Sequence, residues 1–160
     1  MPTGGEQCRC GNTGCLETLI SEPVLVKEAE RLAAENPDSL LAGCLKAPGD
    51  DKPIDRLFIA ARAGDPIINR LLVERAEYLG IALANLINMI NPEVIILGGI
   101  FAQGFDLFAP TLEQTIRKRA FPGLGDIVRL QPTSFGWSAG VVGAAALALD
   151  AYFYQRSEAN

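Results

Sequence analysis

The amino-acid sequence predicts an α/β fold with parallel strands and an attached helical region, and two observations lead to that prediction. Segments in the second half of the chain alternate in the order helix, strand, helix, strand, helix, which requires right-handed crossovers and parallel strands. In addition, Val94–Leu97 is an unbroken run of branched apolar residues bounded by Pro92 and by Gly98 and Gly99, as in a strand covered on both faces. The 160 residues, 49% of them hydrophobic, suffice for one core and one domain.

The helical region is predicted at 22–90. Apolar residues recur at helical spacing over 22–36, around 40–45, over 54–63 and over 66–90, with turn-forming residues between these stretches. Asp65 and Pro66 suit the opening of the last helix, because aspartate can cap free amides and proline fits the first turn. After Gly80 this helix has so little polar surface that we expect 81–90 to be buried in the middle of the fold.

The second half of the lobe, 91–160, is predicted to carry the α/β part. The strand Val94–Leu97 is followed by a helix over 105–119, a second strand over 127–131 and a last helix over 138–154. The predicted organisation is therefore a loop at 1–21 followed by a single lobe at 22–160.

The charge balance argues against direct nucleic-acid binding by these residues. Lysine and arginine number 14 against 19 acidic residues, and the formal net charge is -5, so the chain lacks the basic surface that neutralises phosphates. No stretch reaches the roughly 18 to 20 apolar residues of a membrane span, and 1–7 carries no apolar targeting segment. We expect a cytoplasmic protein without a membrane partner.

Three cysteines crowd into the loop at Cys8, Cys10 and Cys15, among glycines that let the backbone fold back so that the sulfurs converge. Such a cluster fits tetrahedral Zn²⁺, but it leaves the fourth ligand position open, and the chain contains no histidine. Cys44 is a possible fourth ligand, although it lies in a separate helical segment. The alternative is that the loop is disordered and its three thiols are free; a catalytic zinc is the less favoured hypothesis.

The segment Gly4 to Glu17, GGEQCRCGNTGCLE, resembles the signature of the ROK family of sugar-responsive repressors and sugar kinases. That signature reads C-x-C-G-x-x-G-C-x-E and follows a histidine, whose matching position falls before Met1. The resemblance continues through 78–80, 85–88, 91–99 and 140–146, and so it covers nearly the whole chain.

The resemblance implies roles for the residues of the loop. Cys8, Cys10 and Cys15 would hold a structural zinc together with the upstream histidine, and Glu17 would bind sugar hydroxyls. A carboxylate that accepts hydroxyl hydrogen bonds reads stereochemistry well, because an analogue lacking the hydroxyl leaves the charge unpaired. The alternative for Glu17 is an acid that opens a short helix. The implied fold is the actin-like, ribonuclease H-like fold of sugar kinases, of which this chain would form the late part of the second lobe.

Glycines mark the position where ATP and Mg²⁺ would bind if the protein is a kinase. In the kinases of the family, the backbone after the strand that corresponds to Val94–Leu97 approaches the nucleotide phosphates. Gly98, Gly99 and Gly140 suit such an approach because they have no side chain. The alternatives are a tight turn after the strand and close helix packing at Gly140. A third glycine is common in the kinases, whereas Ile100 and Phe101 follow here, and we expect their bulk to crowd a phosphate.

Three hypotheses for function follow. The favoured one is the effector-binding and dimerisation part of a sugar-responsive transcriptional regulator that binds DNA through an amino-terminal domain absent from this chain, since 107–150 is more similar to the repressor branch. The second is the carboxy-terminal part of an ATP-dependent, glucokinase-like hexose kinase, inactive alone because the family's aspartate base lies in the missing half. The third is a binding or assembly module. Since half of a two-lobed fold exposes a sheet edge, we expect a homo-oligomer.

Overall fold

A long helix runs through the molecule, and most of the other elements pack around it. The computed structural model describes the backbone of residues 5–154. In chain order the helices are α1 (Glu17–Ile20), α2 (Glu22–Glu35), α3 (Leu40–Lys46), α4 (Pro53–Arg62), α5 (Pro66–Ile90), α6 (Ile100–Gln103), α7 (Phe105–Arg119), α8 (Leu124–Ile127) and α9 (Ala139–Leu149). The strands are β1 (Val94–Leu97) and β2 (Arg129–Pro132), and a 3₁₀ turn (Gly136–Ser138) and a π turn (Asp150–Tyr154) flank α9.

The helical region is organised by a buried aspartate at the opening of α5. As predicted, Asp65 caps this helix: one carboxylate oxygen accepts hydrogen bonds from the backbone amides of Ile67 and Ile68 at 2.8 and 3.1 Å. The other oxygen accepts a bond from the amide of Leu41 at 2.9 Å, in the first turn of α3. A single side chain that is only 1% exposed therefore joins the amino-terminal ends of two helices.

The main helix pair of the core is α5 with α7. The two helices lie in close contact at Gly80, where a Cβ atom would lie 2.7 Å from the Cβ of Thr115. Phe58 of α4 and Phe108 of α7 extend this core, with their rings perpendicular and their centroids 5.9 Å apart. Gly104 lies so close to both rings that a side chain there would collide with them. The core therefore extends from α2, α3 and α4 across α5 to α7, and Leu97 of β1 joins it from one face of the sheet.

The strands are parallel, as the alternation of helices and strands predicts. They pair from Val94 with Arg129 to Leu97 with Pro132, in a sheet of two strands within the described residues. The first strand has the predicted bounds, whereas the second begins later than expected, because 124–127 forms the short helix α8.

Burial departs from prediction at two places. The strand β1 is covered on one face only: Leu97 is buried, whereas Ile96, which points to the other face, is 68% exposed. The carboxy-terminal part of α5 packs against α7 on one side only, so that Met89 and Ile90 are 82% and 62% exposed. Both expectations of full burial were wrong because the described part of the chain supplies no second covering layer.

The helix α9 is strongly apolar, and no side chain of it is buried within the described part of the chain. Val141 and Leu147 are 74% and 73% exposed. Among the residues of known placement, no helix combines the length and the apolar content needed to cross a membrane.

Candidate metal centre and glycine edge

The cysteine loop is an ordered hairpin from residue 5 onward. Gln7 and Thr13 form an antiparallel bridge, and the amide of Cys8 donates to the carbonyl of Asn12 at 2.7 Å. Gly11 and Gly14 adopt φ angles of 89° and 70°, which side chains rarely tolerate. These glycines therefore turn the chain back on itself, and the predicted convergence of the three sulfurs is confirmed.

The three sulfurs have a geometry that suits a tetrahedral metal ion. The Sγ atoms of Cys8, Cys10 and Cys15 all lie within 4.8 Å of one another, and those of Cys10 and Cys15 are 3.5 Å apart. Zn–S bonds of about 2.3 Å at tetrahedral angles require sulfurs about 3.8 Å apart, so these three residues fit the ion. Cys44 takes no part in the cluster: it lies in α3 and packs against the hydrophobic core.

The thiols of the cluster influence one another's protonation. Hydrogen bonds with the Cys10 and Cys8 thiols raise the pKa of Cys15 to about 11. A backbone hydrogen bond at Asn12 and, after it, the thiol of Cys15 lower the pKa of Cys10. The Cys10 and Cys15 thiols share a hydrogen bond, and a divalent cation in place of the thiol protons would stabilise all three thiolates together.

Glu17 lies beside the cysteine cluster and also opens α1. Its carboxylate accepts a long hydrogen bond from the Cys8 thiol, with 4.0 Å between Sγ and Oε2. Both residues line a surface cavity of about 220 Å³. The hydroxyl of Thr18 donates to the carbonyl of Cys15 at 2.7 Å and so fastens the start of α1 to the last cysteine. Glu17 is therefore both the first residue of a helix and an exposed neighbour of the three thiols that could hold a metal ion.

The carboxyl ends of the two parallel strands form an open edge. Gly98 and Gly99 follow β1, both are exposed, and a Cβ at either position would meet no described atom within 4 Å. The amide of Thr133 donates to the carbonyl of Leu97 at 2.8 Å, so the residues after β2 lie beside the glycines. Sequence reasoning did not assign Thr133 to this edge; its position directly after the second parallel strand is the signal that places it there.

Ile100 and Phe101 do not crowd the glycines, and this part of the sequence prediction is wrong. Ile100 is 6% exposed in the core, and the Phe101 ring packs on Phe108 with centroids 5.0 Å apart. The turn into α6 directs both side chains behind the loop. The predicted obstacle to a phosphate is therefore not present.

Gly140 lies in the first turn of α9 and is exposed. A Cβ there would meet no atom of the described chain within 4 Å, so the alternative of close helix packing is not realised in the described residues.

The chain has relatives among both sugar kinases and repressors. The model of the ROK family matches residues 1–151. A glucokinase of Halalkalibacterium halodurans is 35% identical over 143 residues, which cover 89% of this chain and 43% of that enzyme. The DNA-binding transcriptional repressor Mlc of Escherichia coli is 29% identical over 149 residues, which cover 93% of this chain and 35% of the repressor.

A solved structure extends the similarity to three dimensions. The ROK family glucokinase of Streptomyces griseus, in complex with glucose and AMPPNP, matches with a TM-score of 0.74 and 30% identity over 89% of this chain and 47% of that enzyme. The chain thus spans less than half the length of each of these relatives. The fold is the actin-like fold of ROK sugar kinases and regulators, as the resemblance implied. The match over residues 1–151 establishes that the chain belongs to the ROK family.

Proposed function

We propose that this chain is the sugar-recognising, carboxy-terminal part of a ROK protein, in which a structural zinc ion positions Glu17 for contact with sugar hydroxyls. The observation that carries the proposal is the position of the exposed Glu17 carboxylate, 4.0 Å from the sulfur of Cys8 in a cluster of three thiols. Cys8, Cys10 and Cys15 are the proposed ligands, and the loop at 1–21 is a zinc-type element ahead of the lobe at 22–160.

Zinc serves an organising purpose in this proposal. The loop has few apolar residues, and among its described residues only a few backbone hydrogen bonds close the hairpin. A metal held by three thiolates fixes the loop, and with it the start of α1, at a cost in chain entropy that the metal bonds offset. Because Glu17 is two residues beyond Cys15, a fixed loop holds the carboxylate in place before the sugar arrives.

Two candidate functions follow, and they differ in what happens to the bound sugar. In the first, the sugar is an effector that alters DNA affinity through an amino-terminal domain outside this chain; the similarity to the Mlc repressor over 93% of the chain supports it. In the second, the sugar is phosphorylated with ATP and Mg²⁺. The uncovered Gly98 and Gly99 favour this candidate, since backbone without Cβ atoms can approach phosphates closely. Gly140 belongs to the same proposed nucleotide site.

Calorimetry on the full-length parent protein tests sugar recognition, with glucose as the probe. We expect Glu17→Gln to weaken glucose binding at least tenfold, because the substitution removes the charge that accepts the hydroxyl bonds. Glu30→Gln, on the exposed face of α2, is the matched control and should leave the affinity unchanged. Equal affinities in the two variants would refute the role of Glu17.

The same instrument separates the two candidates. Glucose binding without ATP binding supports the regulator and leads to DNA-binding measurements. Binding of both ligands, with formation of a sugar phosphate, supports the kinase.

Self-association and location complete the proposal. The exposed apolar residues of β1 and α9 support a homo-oligomer, since large uncovered apolar surfaces favour pairing. Sedimentation of the chain at several concentrations tests it, and a monomer throughout would contradict it.

We propose a cytoplasmic location and no membrane partner, in keeping with a sugar ligand supplied by metabolism.

A further inference from the structure

Two thiols of the cysteine cluster are placed for a reaction with each other. The sulfurs of Cys10 and Cys15 are 3.5 Å apart, and Cys10 is exposed to solvent. Cys8 differs from both, since it is 8% exposed and its thiol is directed at the Glu17 carboxylate. The cluster therefore contains one accessible thiol with a second thiol beside it.

We propose that Cys10 and Cys15 are a thiol-oxidation site. Hydroperoxides oxidise the two thiols to a disulfide between them, and the metal ion is lost as a result. The loss of metal rests on the proposed zinc site, whereas the disulfide requires only the two thiols. The site thus makes sugar recognition by Glu17 sensitive to oxidants.

The backbone of the loop favours this pair over the other two. A disulfide bond is about 2.05 Å long, so the two sulfurs must approach by only about 1.5 Å. The five-residue step from Cys10 to Cys15 contains Gly11 and Gly14, whose left-handed conformations already reverse the chain. A bond between Cys8 and Cys10 would have only Arg9 between its two cysteines, and a bond from Cys8 to either partner would need the buried Cys8 thiol to leave Glu17.

The reaction balances with a peroxide as the oxidant. The thiolate of Cys10 attacks the O–O bond of hydrogen peroxide, which forms a sulfenic acid and releases hydroxide that is protonated to water. The thiolate of Cys15 then attacks the sulfenic sulfur, forms the S–S bond and displaces a second hydroxide, which also becomes water on protonation. The two thiols lose two electrons in total, and one peroxide is reduced to two waters. A dithiol reductant reverses the reaction.

Loss of the Cys10 and Cys15 thiolates would leave Cys8 as the one cysteine ligand from this chain. A single cysteine does not hold zinc at ordinary concentrations. Leu16 alone separates Cys15 from Glu17, and the Thr18 hydroxyl ties α1 to the Cys15 carbonyl. A change of geometry at Cys15 is therefore passed directly to the sugar-binding carboxylate. We expect oxidation to weaken glucose binding by the parent about as much as Glu17→Gln does.

The test treats the zinc-loaded chain with one equivalent of hydrogen peroxide and follows zinc release with a chromogenic chelator and disulfides by peptide mass spectrometry. We expect one zinc released for each Cys10–Cys15 disulfide, and recovery of both thiols with dithiothreitol. Cys8→Ser should still form the disulfide, whereas Cys15→Ser should stop at the Cys10 sulfenic acid. Cys44→Ser, outside the cluster, is the matched control and should behave as the unsubstituted chain does.

The outcomes separate this inference from the zinc proposal. A disulfide in a chain that binds no zinc would refute the zinc site and support the oxidation site. Bound zinc with no Cys10–Cys15 disulfide, or with a disulfide from Cys8 instead, would refute the oxidation site and support the metal.

Discussion

Removal of the buried carboxylate at the opening of α5 is the sharpest test of the fold. Asp65 accepts three backbone hydrogen bonds while only 1% exposed, two from its own helix and one from Leu41 of α3. Asp65→Ala therefore removes an N-cap, at about 0.5–2 kcal/mol. It also leaves the buried Leu41 amide without an acceptor, which costs about 1–3 kcal/mol of stability. We expect the free energy of unfolding to fall by about 1.5–5 kcal/mol in total.

Urea unfolding followed by circular dichroism measures this loss. With a denaturant slope of about 2 kcal/mol/M, the midpoint should fall by about 1–2.5 M. Asp65→Asn refines the argument, because it keeps one acceptor but turns an N–H group toward one of the former donors. It should therefore lose about 1–3 kcal/mol, less than the alanine variant does.

A second aspartate supplies the control. Asp106 forms a two-point hydrogen bond with Arg62 at 2.9 and 2.7 Å, but its side chain is 57% exposed. Exposed ion pairs contribute about 1 kcal/mol or less, so Asp106→Ala should change the midpoint little. If Asp65→Ala costs no more than Asp106→Ala, the reasoning from burial is refuted.

Three further results are expected. Cys10→Ser should lower the zinc content of the purified chain well below one equivalent, whereas Cys44→Ser should retain it; equal metal content in both variants would contradict the site. Gly80→Ala should cost about 1–3 kcal/mol by overpacking against Thr115, and Thr115→Gly should recover part of that loss in a double-mutant cycle; additive effects would contradict the contact. Hydrogen bonds from Arg62 lower the pKa of Asp106 in the folded state. The ion pair should therefore stabilise the folded protein above the ordinary carboxyl pKa, and this stabilisation should disappear as the pH falls through the lowered pKa. Asp106→Asn and the parent should then converge in stability at acid pH.

Local signals in the sequence predicted the elements well. Asp65 and Pro66 marked the start of α5, and the branched run before Gly98 marked β1 with its observed bounds. Such signals act through caps, fixed backbone angles and side-chain shape within a few residues of one another. The converging cysteines were predictable for the same reason, since Gly11 and Gly14 lie inside the loop that they bend.

Burial and side-chain direction were not predictable in this way. Ile96 and Met89 are apolar and were expected inside, but burial needs a partner surface from elsewhere in the molecule. The size of Phe101 was clear from the sequence, whereas its direction depends on how α6 leaves the glycine turn and on the presence of Phe108. The close pair within the cysteine cluster likewise depends on the bridge between Gln7 and Thr13.

The contact between Gly80 and Thr115 has a consequence for how sequences of this family vary. A Cβ on one helix leaves no room for a Cβ on the other, because the two positions lie only 2.7 Å apart. A methyl group at position 80 should therefore be found together with a glycine at position 115, or with helices that cross farther apart. Substitutions at these two positions should accumulate in pairs over evolutionary time, whereas neighbouring exposed positions on the same helices drift independently.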